Sequence, residues 1–263
     1  MKRGIFIFLL LFFFLFPLII LGVQGVSGMW SFPHVFPESF SLRGLDFLWT
    51  NRTDLLLSIL SSVGYSLAAA AVTFILCYFP ASVLAFNNFR GKTAVETILI
   101  LPAILPAMTF AVGVHVAFIF LSAEDSWFGI VAILSLFSYP YMLRALIAGF
   151  KAVGRDLTAC AKNLGAGPLR RISLVEIPAL APSIYAGGAV VFLVAFSEYF
   201  LVFLVGGGAV PSITSYLVPF LNASDFTVSS LLVLLFSAAP IFLLLGTERF
   251  LRGLYAKRGL DAV

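Results

Sequence analysis

The feature that most constrains this chain is a series of long apolar runs separated by short polar breaks. No charged side chain occurs between Ile5 and Val23, and comparable runs occupy Ile59–Phe86, Val95–Leu121, Trp127–Phe150, Ala179–Val205 and Val228–Phe250. A helix needs about 20 apolar residues to cross a hydrocarbon core about 30 Å thick, and each run approaches or exceeds that length. In lipid the backbone must satisfy its own hydrogen bonds. The alternating ten-residue pattern of a membrane barrel is absent here, so helices are the remaining solution. The expectation is an all-α polytopic membrane protein with six transmembrane helices. Composition agrees: 61% of residues are hydrophobic and 11% charged, against roughly 45–50% apolar in a soluble domain.

The first run, behind "MKRG", also has the form of a secretory signal. It exceeds the usual core of about 7–15 residues, so a retained membrane helix is expected. Basic residues orient the spans. Lys2, Arg3, Arg90, Lys92, Arg144, Lys151, Arg155, Lys162, Arg170, Arg171, Arg249, Arg252, Lys257 and Arg258 fall on one side, and only Arg43 and Arg52 on the other. Both termini are therefore expected in the cytoplasm. The domain expectation is 1–55 as an N-terminal helix and outer loop, 56–250 as the membrane domain, and 251–263 as a basic cytoplasmic tail. The outer segments are about 24–58, a turn with Glu124 and Asp125, and 206–227. The first holds Trp30, Phe32, Phe36, Phe40, Phe47 and Trp49, aromatic side chains that favour the membrane–water boundary. Cys77 and Cys160 are read as free, small packing residues.

Between the fourth and fifth runs lies "DLTACAKNLGAGPLRRISLVEIP", Asp156 to Pro178. Leu157, Cys160, Ala161 and Leu164 share one helical face. Asp156 stands where a helix N-terminus favours an anion, and Gly165 where a C-terminal glycine is expected. Pro168 suits the first position of a second helix, and Pro178 is expected to end it. The spacing predicts helix, sharp turn, helix, and small residues at Ala159, Cys160 and Ala161 permit close backbone approach. A plain amphipathic connector lying on anionic headgroups is the competing reading.

The segment "ACAKNLGAGPLRRISLVEIPALAPSI" resembles the cytoplasmic signature loop of binding-protein-dependent ABC importer permeases. The matching positions are Ala159, Cys160 and Ala161, then Leu164, Gly165, Ala166 and Pro168, then Pro178. "YSLAAAAVTFILCYFPASVLAF", "FRGK" and "LPAILPAM" extend the likeness over roughly 56–250. The resemblance implies a permease subunit of the cytoplasmic (inner) membrane of a prokaryote. Its partners would be membrane lipid, ABC ATPase subunits that bind the ATP, a second identical or similar permease, and an extracytoplasmic substrate-binding protein. Nucleic acid is not among them. The elbow would dock in the ATPase and pass its motion to the spans. The family's usual glutamate is Ala159 here, and Asp156, one turn earlier, is the expected substitute. The stretch from Arg171 to Phe200 looks closest to permeases for thiamine, ferric iron and polyamines, with sugar importers next.

Glu198, in "FSEYF", is the acid placed in the interior of a span. A charge there costs at least about 2.5–3.5 kcal/mol unless it meets a cavity or a partner. With Ser197 and Tyr199 it forms the candidate for the translocation pathway. The competing readings are a carboxyl hydrogen-bonded to Ser197 or Tyr199 and an interfacial glutamate near the outer leaflet. His115 reads as a packed residue, and His34 has no companion for a metal site. Pro80, Pro102, Pro106, Pro140 and Pro240 are expected to interrupt or kink spans, and Gly206-Gly207-Gly208 to end the fifth.

The chain has no GxxxxGK[ST] phosphate loop, no paired-histidine zinc motif and no G-x-S-x-G element. The expectation is a transport subunit that is not itself an enzyme and holds no cofactor. A secondary carrier or channel is the alternative. It would show duplicated, broken halves and more intramembrane acids.

Overall fold

The computed structural model describes residues 2–257, apart from 29, 31–33, 35, 121–124 and 224. Phe32, Glu124, Arg258 and the rest of the tail to 263 lie outside the described residues. Among the described residues twelve helices follow one another: α1 (Lys2–Gly25), α2 (Arg43–Thr50), α3 (Arg52–Phe86), α4 (Lys92–Ile104), α5 (Ala107–Phe120), α6 (Trp127–Val153), α7 (Asp156–Asn163), α8 (Pro168–Arg171), α9 (Ile177–Ser197), α10 (Phe200–Gly206), α11 (Ile213–Asn222) and α12 (Phe226–Lys257). A π turn, Ile172–Glu176, joins α8 to α9. Among the described residues the only β pairing is an isolated bridge between Ser27 and Phe40.

Among the described residues four helices are long and apolar enough to cross a membrane: Arg52–Phe86, Trp127–Val153, Pro168–Ser197 and Phe226–Arg249. The α4–α5 pair makes a fifth if it is counted as one span, and the apolar stretch of α1, Leu9–Gly25, is shorter. The expected third span is not continuous. Its halves meet at 103°, because Pro106 lacks a donor and holds Leu105 in extended backbone (ψ 138°). Pro80, Pro102, Pro140 and Pro240 do not interrupt their helices and lie inside continuous ones. The expected fifth span differs at both ends. Its helix starts upstream at Pro168 and stops at Ser197, where Glu198 turns extended (ψ 121°).

The chain divides into two compact units, Ser61–Val210 and the paired segments Met1–Leu60 and Pro211–Val263. Within Ser61–Val210, α6 is the central helix. Tyr65, Ile130, Ile133, Leu134, Leu201 and Val205 form one core around it. Cys77, Tyr78, Met142, Leu146, Phe150, Leu180 and Val191 form another. Helices α6 and α9 approach closely through small residues. A side chain on Gly149 would meet Ser183 and Leu180, and one on Gly187 would meet Ala145 and Met142. Thr73 and Ser135, between α3 and α6, bond to backbone, the arrangement hydrocarbon demands. The Thr73 hydroxyl donates to Ala69 O (2.6 Å), and that of Ser135 to Val131 O (2.7 Å) and Ala69 O (3.3 Å). Phe79, Ile98, Phe120 and Phe128 are exposed, which suits a lipid solvent and not water.

In the other unit, α1, α2 and α11 pack on α12. The segment after α1 is tied to the start of α12. Thr227 Oγ1 donates to Ser27 O and Gly28 O, Ser230 Oγ to Gln24 Oε1, and Arg43 pairs with Asp225 at 2.8 Å. The large aromatics Phe36, Phe40 and Trp49 stand exposed, and the Arg52 guanidinium lies over the Trp49 ring at 5.0 Å.

Candidate functional site

The elbow is built as its sequence dictates through its first three parts. Asp156 opens α7 in its first turn. After Asn163 the chain closes with paired bonds, Gly165 N–H to Lys162 O and Ala166 N–H to Ala161 O, each 3.0 Å. That is a Schellman ending, and it requires a left-handed residue at its turn. Gly165 supplies it, with φ +82°. Pro168 then sits at the first position of α8, where its missing N–H costs nothing.

Pro178 does not end the second helix. The chain passes through the π turn, with Ile177 N–H bonding Ile172 O, and α9 continues beyond Pro178 to Ser197. The wider turn absorbs the residue that has no donor, so elbow and span are one continuous helix from Pro168.

The face expected from Leu157, Cys160, Ala161 and Leu164 is not packed inward. Only Ala161 is buried, while Cys160 is exposed. Leu164, Leu169 and Leu174 are 88%, 82% and 71% exposed. The elbow therefore presents an apolar ridge around Gly165. Asp156 and Ala159 are also exposed, Ala166 is half-buried, and Pro168 and Pro178 lie at the surface.

Under the elbow is a cavity of about 420 Å³ walled by α3, α6, α7 and the π turn. Glu176, 8% exposed, lies on its wall with both carboxylate oxygens engaged. Tyr78 Oη donates to Oε2, and Arg171 Nε donates to Oε1 at 2.9 Å. Arg155, at the start of α7, donates to Phe86 O and to Asn87 Oδ1 (2.6 Å), with its guanidinium 5.2 Å from the Phe86 ring centre. Sequence reasoning missed this group. Because the helix begins at Pro168, the buried acid of this span is Glu176, while Glu198 is only half-buried at its far end.

Ser197, Glu198 and Tyr199 meet at the break between α9 and α10. Glu198 Oε1 accepts from Phe200 N–H (3.1 Å) and Leu201 N–H (3.4 Å). Both bonds satisfy donors freed by the broken helix. Ser197 Oγ donates to Leu193 O (2.8 Å), and Tyr199 stacks on Phe203 at 5.5 Å. Gly207 and Gly208, with φ +53° and +76°, end the short α10 and not the long helix of the fifth span, which has already stopped at Ser197. His34 pairs with Glu38 at 2.9 Å, and among the described residues no three His, Cys, Asp or Glu gather as a metal site.

A helical, multi-span membrane protein that carries a two-helix elbow on one of its spans is the class these features define. Residues 51–257 match the family of binding-protein-dependent transport system inner membrane components, and the chain belongs to that family. It is 30% identical over 171 residues to a molybdate/tungstate transport system permease protein of Pyrococcus abyssi, covering 63% of this chain and 68% of the relative. It is 34% identical over 123 residues to the protein of that description in Thermococcus kodakarensis, but there the match spans about half of each chain, 47% and 49%. A sulfate transport system permease protein of Salmonella typhimurium is 25% identical over 62% of this chain and 64% of its own. In fold, the chain is similar to a bacterial ABC transporter involved in the import of the acidic polysaccharide alginate. The TM-score is 0.69 at 14% identity, with 94% of each chain covered.

Proposed function

We propose that this chain is the translocation-pathway subunit of an ATP-driven importer of the cytoplasmic membrane of a prokaryote, with both termini and the elbow inside. A separate ABC ATPase binds and hydrolyses the ATP. A second permease, identical or similar, completes the pathway, and an extracytoplasmic binding protein delivers a small solute. The domain division 1–55, 56–250 and 251–263 follows from that reading, with Phe36, Phe40 and Trp49 resting on the outer membrane surface. Ser197, Glu198 and Tyr199, at the end of the helix that starts in the elbow, border the pathway.

The observation that carries this reading is the apolar ridge of Leu164, Leu169 and Leu174 around the Gly165 turn. Three large leucines left this exposed on one short stretch form the kind of apolar surface that a partner or lipid covers. The helix that bears two of them runs unbroken into a span. The test is co-purification of the ATPase with the tagged chain. Leu164→Asp combined with Leu169→Asp strips the ATPase while leaving the membrane subunit monodisperse. Gly165→Ala weakens attachment by forcing a left-handed alanine, at a cost of about 1–2 kcal/mol. A double variant that keeps its ATPase and imports normally would overturn the assignment, and with it the roles given to Asp156, Ala159, Cys160, Ala161 and Pro178.

For cargo the reading is a small oxyanion, supported by relatives described as carrying molybdate or tungstate and sulfate. The solutes to which the sequence leans, thiamine, ferric iron and polyamines and then sugars, are its competitors. Binding of a labelled panel of these compounds to the partner binding protein separates them, and an organic cation outbinding every oxyanion would reverse the reading.

A further inference from the structure

Glu176 is a carboxylate 92% removed from solvent at the point where the elbow becomes a span, and no part of the docking reading uses it. It connects two elements. Tyr78 belongs to α3 and Arg171 to α8, so one carboxylate joins span and elbow. The other end of the elbow is fixed to the same span. Arg155, at the start of α7, reaches Phe86 O at the C-terminus of α3, where a cation meets the favourable end of the helix dipole. Between these two points α7 stands off from α3, and the cavity of about 420 Å³ fills the gap. Thr158 and Ala159 of α7 and Ser82 and Val83 of α3 all line it. The elbow therefore touches α3 chiefly through two polar clasps, one at each rim of a void.

We propose that Arg155 and the Tyr78–Glu176–Arg171 group are positioning residues that clasp the elbow to the cytoplasmic end of α3, so that displacement of the elbow is passed to α3 instead of being absorbed by the loop. This rests on the reading of the elbow as an ATPase-coupled lever. A packed interface would spread the load over many weak contacts. Here the void leaves the load to charge-assisted bonds, which are directional and roughly twice as strong as neutral ones. Both carboxylate oxygens of Glu176 are filled, so moving Arg171 or Tyr78 alone would leave a buried charge underpartnered. The three groups are held to move together. Pro80, between the two clasps on α3, removes a backbone bond from the segment they grip, which eases its bending.

The test uses the whole transporter, this chain with its ATPase and binding protein, in proteoliposomes. Tyr78→Phe removes one hydroxyl and no volume. Arg155→Met removes the charge and keeps an unbranched apolar stem, and Arg155→Lys restores a cation to the same helix end. Arg90→Ala, an exposed cation outside both the clasps and the elbow, is the control. Each is read for ATPase co-purification, ATP hydrolysis and solute imported per ATP. The expected result is import per ATP lowered at least fivefold by Tyr78→Phe with Arg155→Met, while ATPase stays bound and hydrolysis stays within twofold. Arg155→Lys is expected to recover most of the loss, and Arg90→Ala to behave as wild type. Unchanged import per ATP in the double variant would overturn the clasp, as would a loss that Arg155→Lys does not repair. Failure of the docking reading shows elsewhere, as retained ATPase in Leu164→Asp with Leu169→Asp.

Discussion

Gly149→Ala asks how closely the two central helices of the larger unit must approach. A Cβ at that position would stand 2.6 Å from Ser183 Cβ and 3.1 Å from Leu180 Cδ2. Carbon atoms in contact rest at about 3.5–4.0 Å, so α6 and α9 must separate by about 1 Å or distort. Overpacking of this kind costs about 1–3 kcal/mol, and the change from glycine returns about 0.5–1 kcal/mol as helix propensity. The expected net loss is roughly 1–2 kcal/mol, or a fall of about 2–8 °C in the melting midpoint at about 2–4 °C per kcal/mol for 150–250 residues. Ser183→Gly in the same chain removes the atoms that collide, so the double variant should recover most of the loss, with a favourable coupling energy of at least about 1 kcal/mol. The assay is the midpoint of heat-induced loss of the monodisperse peak of detergent-purified protein, for the single variants and the pair. A Gly149→Ala protein that melts with wild type, or a pair whose losses simply add, would refute the argument from close approach.

Two further outcomes follow from single residues. Gly207→Ala combines a left-handed backbone (φ +53°) with a collision against the Asp125 carboxyl, whose carbon lies 2.6 Å from the added Cβ; a loss of about 2–3 kcal/mol in the same melting assay is expected, and an unchanged midpoint would count against the geometry of that turn. Pro106→Ala restores a backbone donor and frees Leu105 from extended backbone, so spin labels on Ile98 and Val116 should move apart as the 103° bend relaxes; an unchanged label distance would assign the bend to packing and not to proline.

What could be read from the chain alone depended on how local its cause is. The elbow turn was legible because Gly165 and Pro168 act on their own backbone. The clasp beneath it was not. Tyr78 lies 98 residues from Glu176, and Arg171 and Glu176 are five apart, a spacing that meets on a π turn and not on the α-helical period. Prolines marked where helices could break, but only Pro106 of the five coincides with one, since neighbouring helices can hold a proline inside a continuous rod. The break at Glu198 has no proline or glycine to announce it. It shows only once the carboxylate is seen bonding the backbone of Phe200 and Leu201. Helix existence followed from hydropathy, whereas the lengths of the third and fifth spans did not.

The unbroken course from Pro168 to Ser197 has a mechanical consequence. Thirty residues of helix at 1.5 Å each extend about 45 Å, so a tilt of 5° at one tip sweeps the other through about 4 Å. The π turn widens the rod without severing it, and Pro178 and Pro182 lie within its length. A pivot near Gly149 and Gly187, where α9 lies hard against α6, would make it a seesaw whose far arm ends beside Glu198.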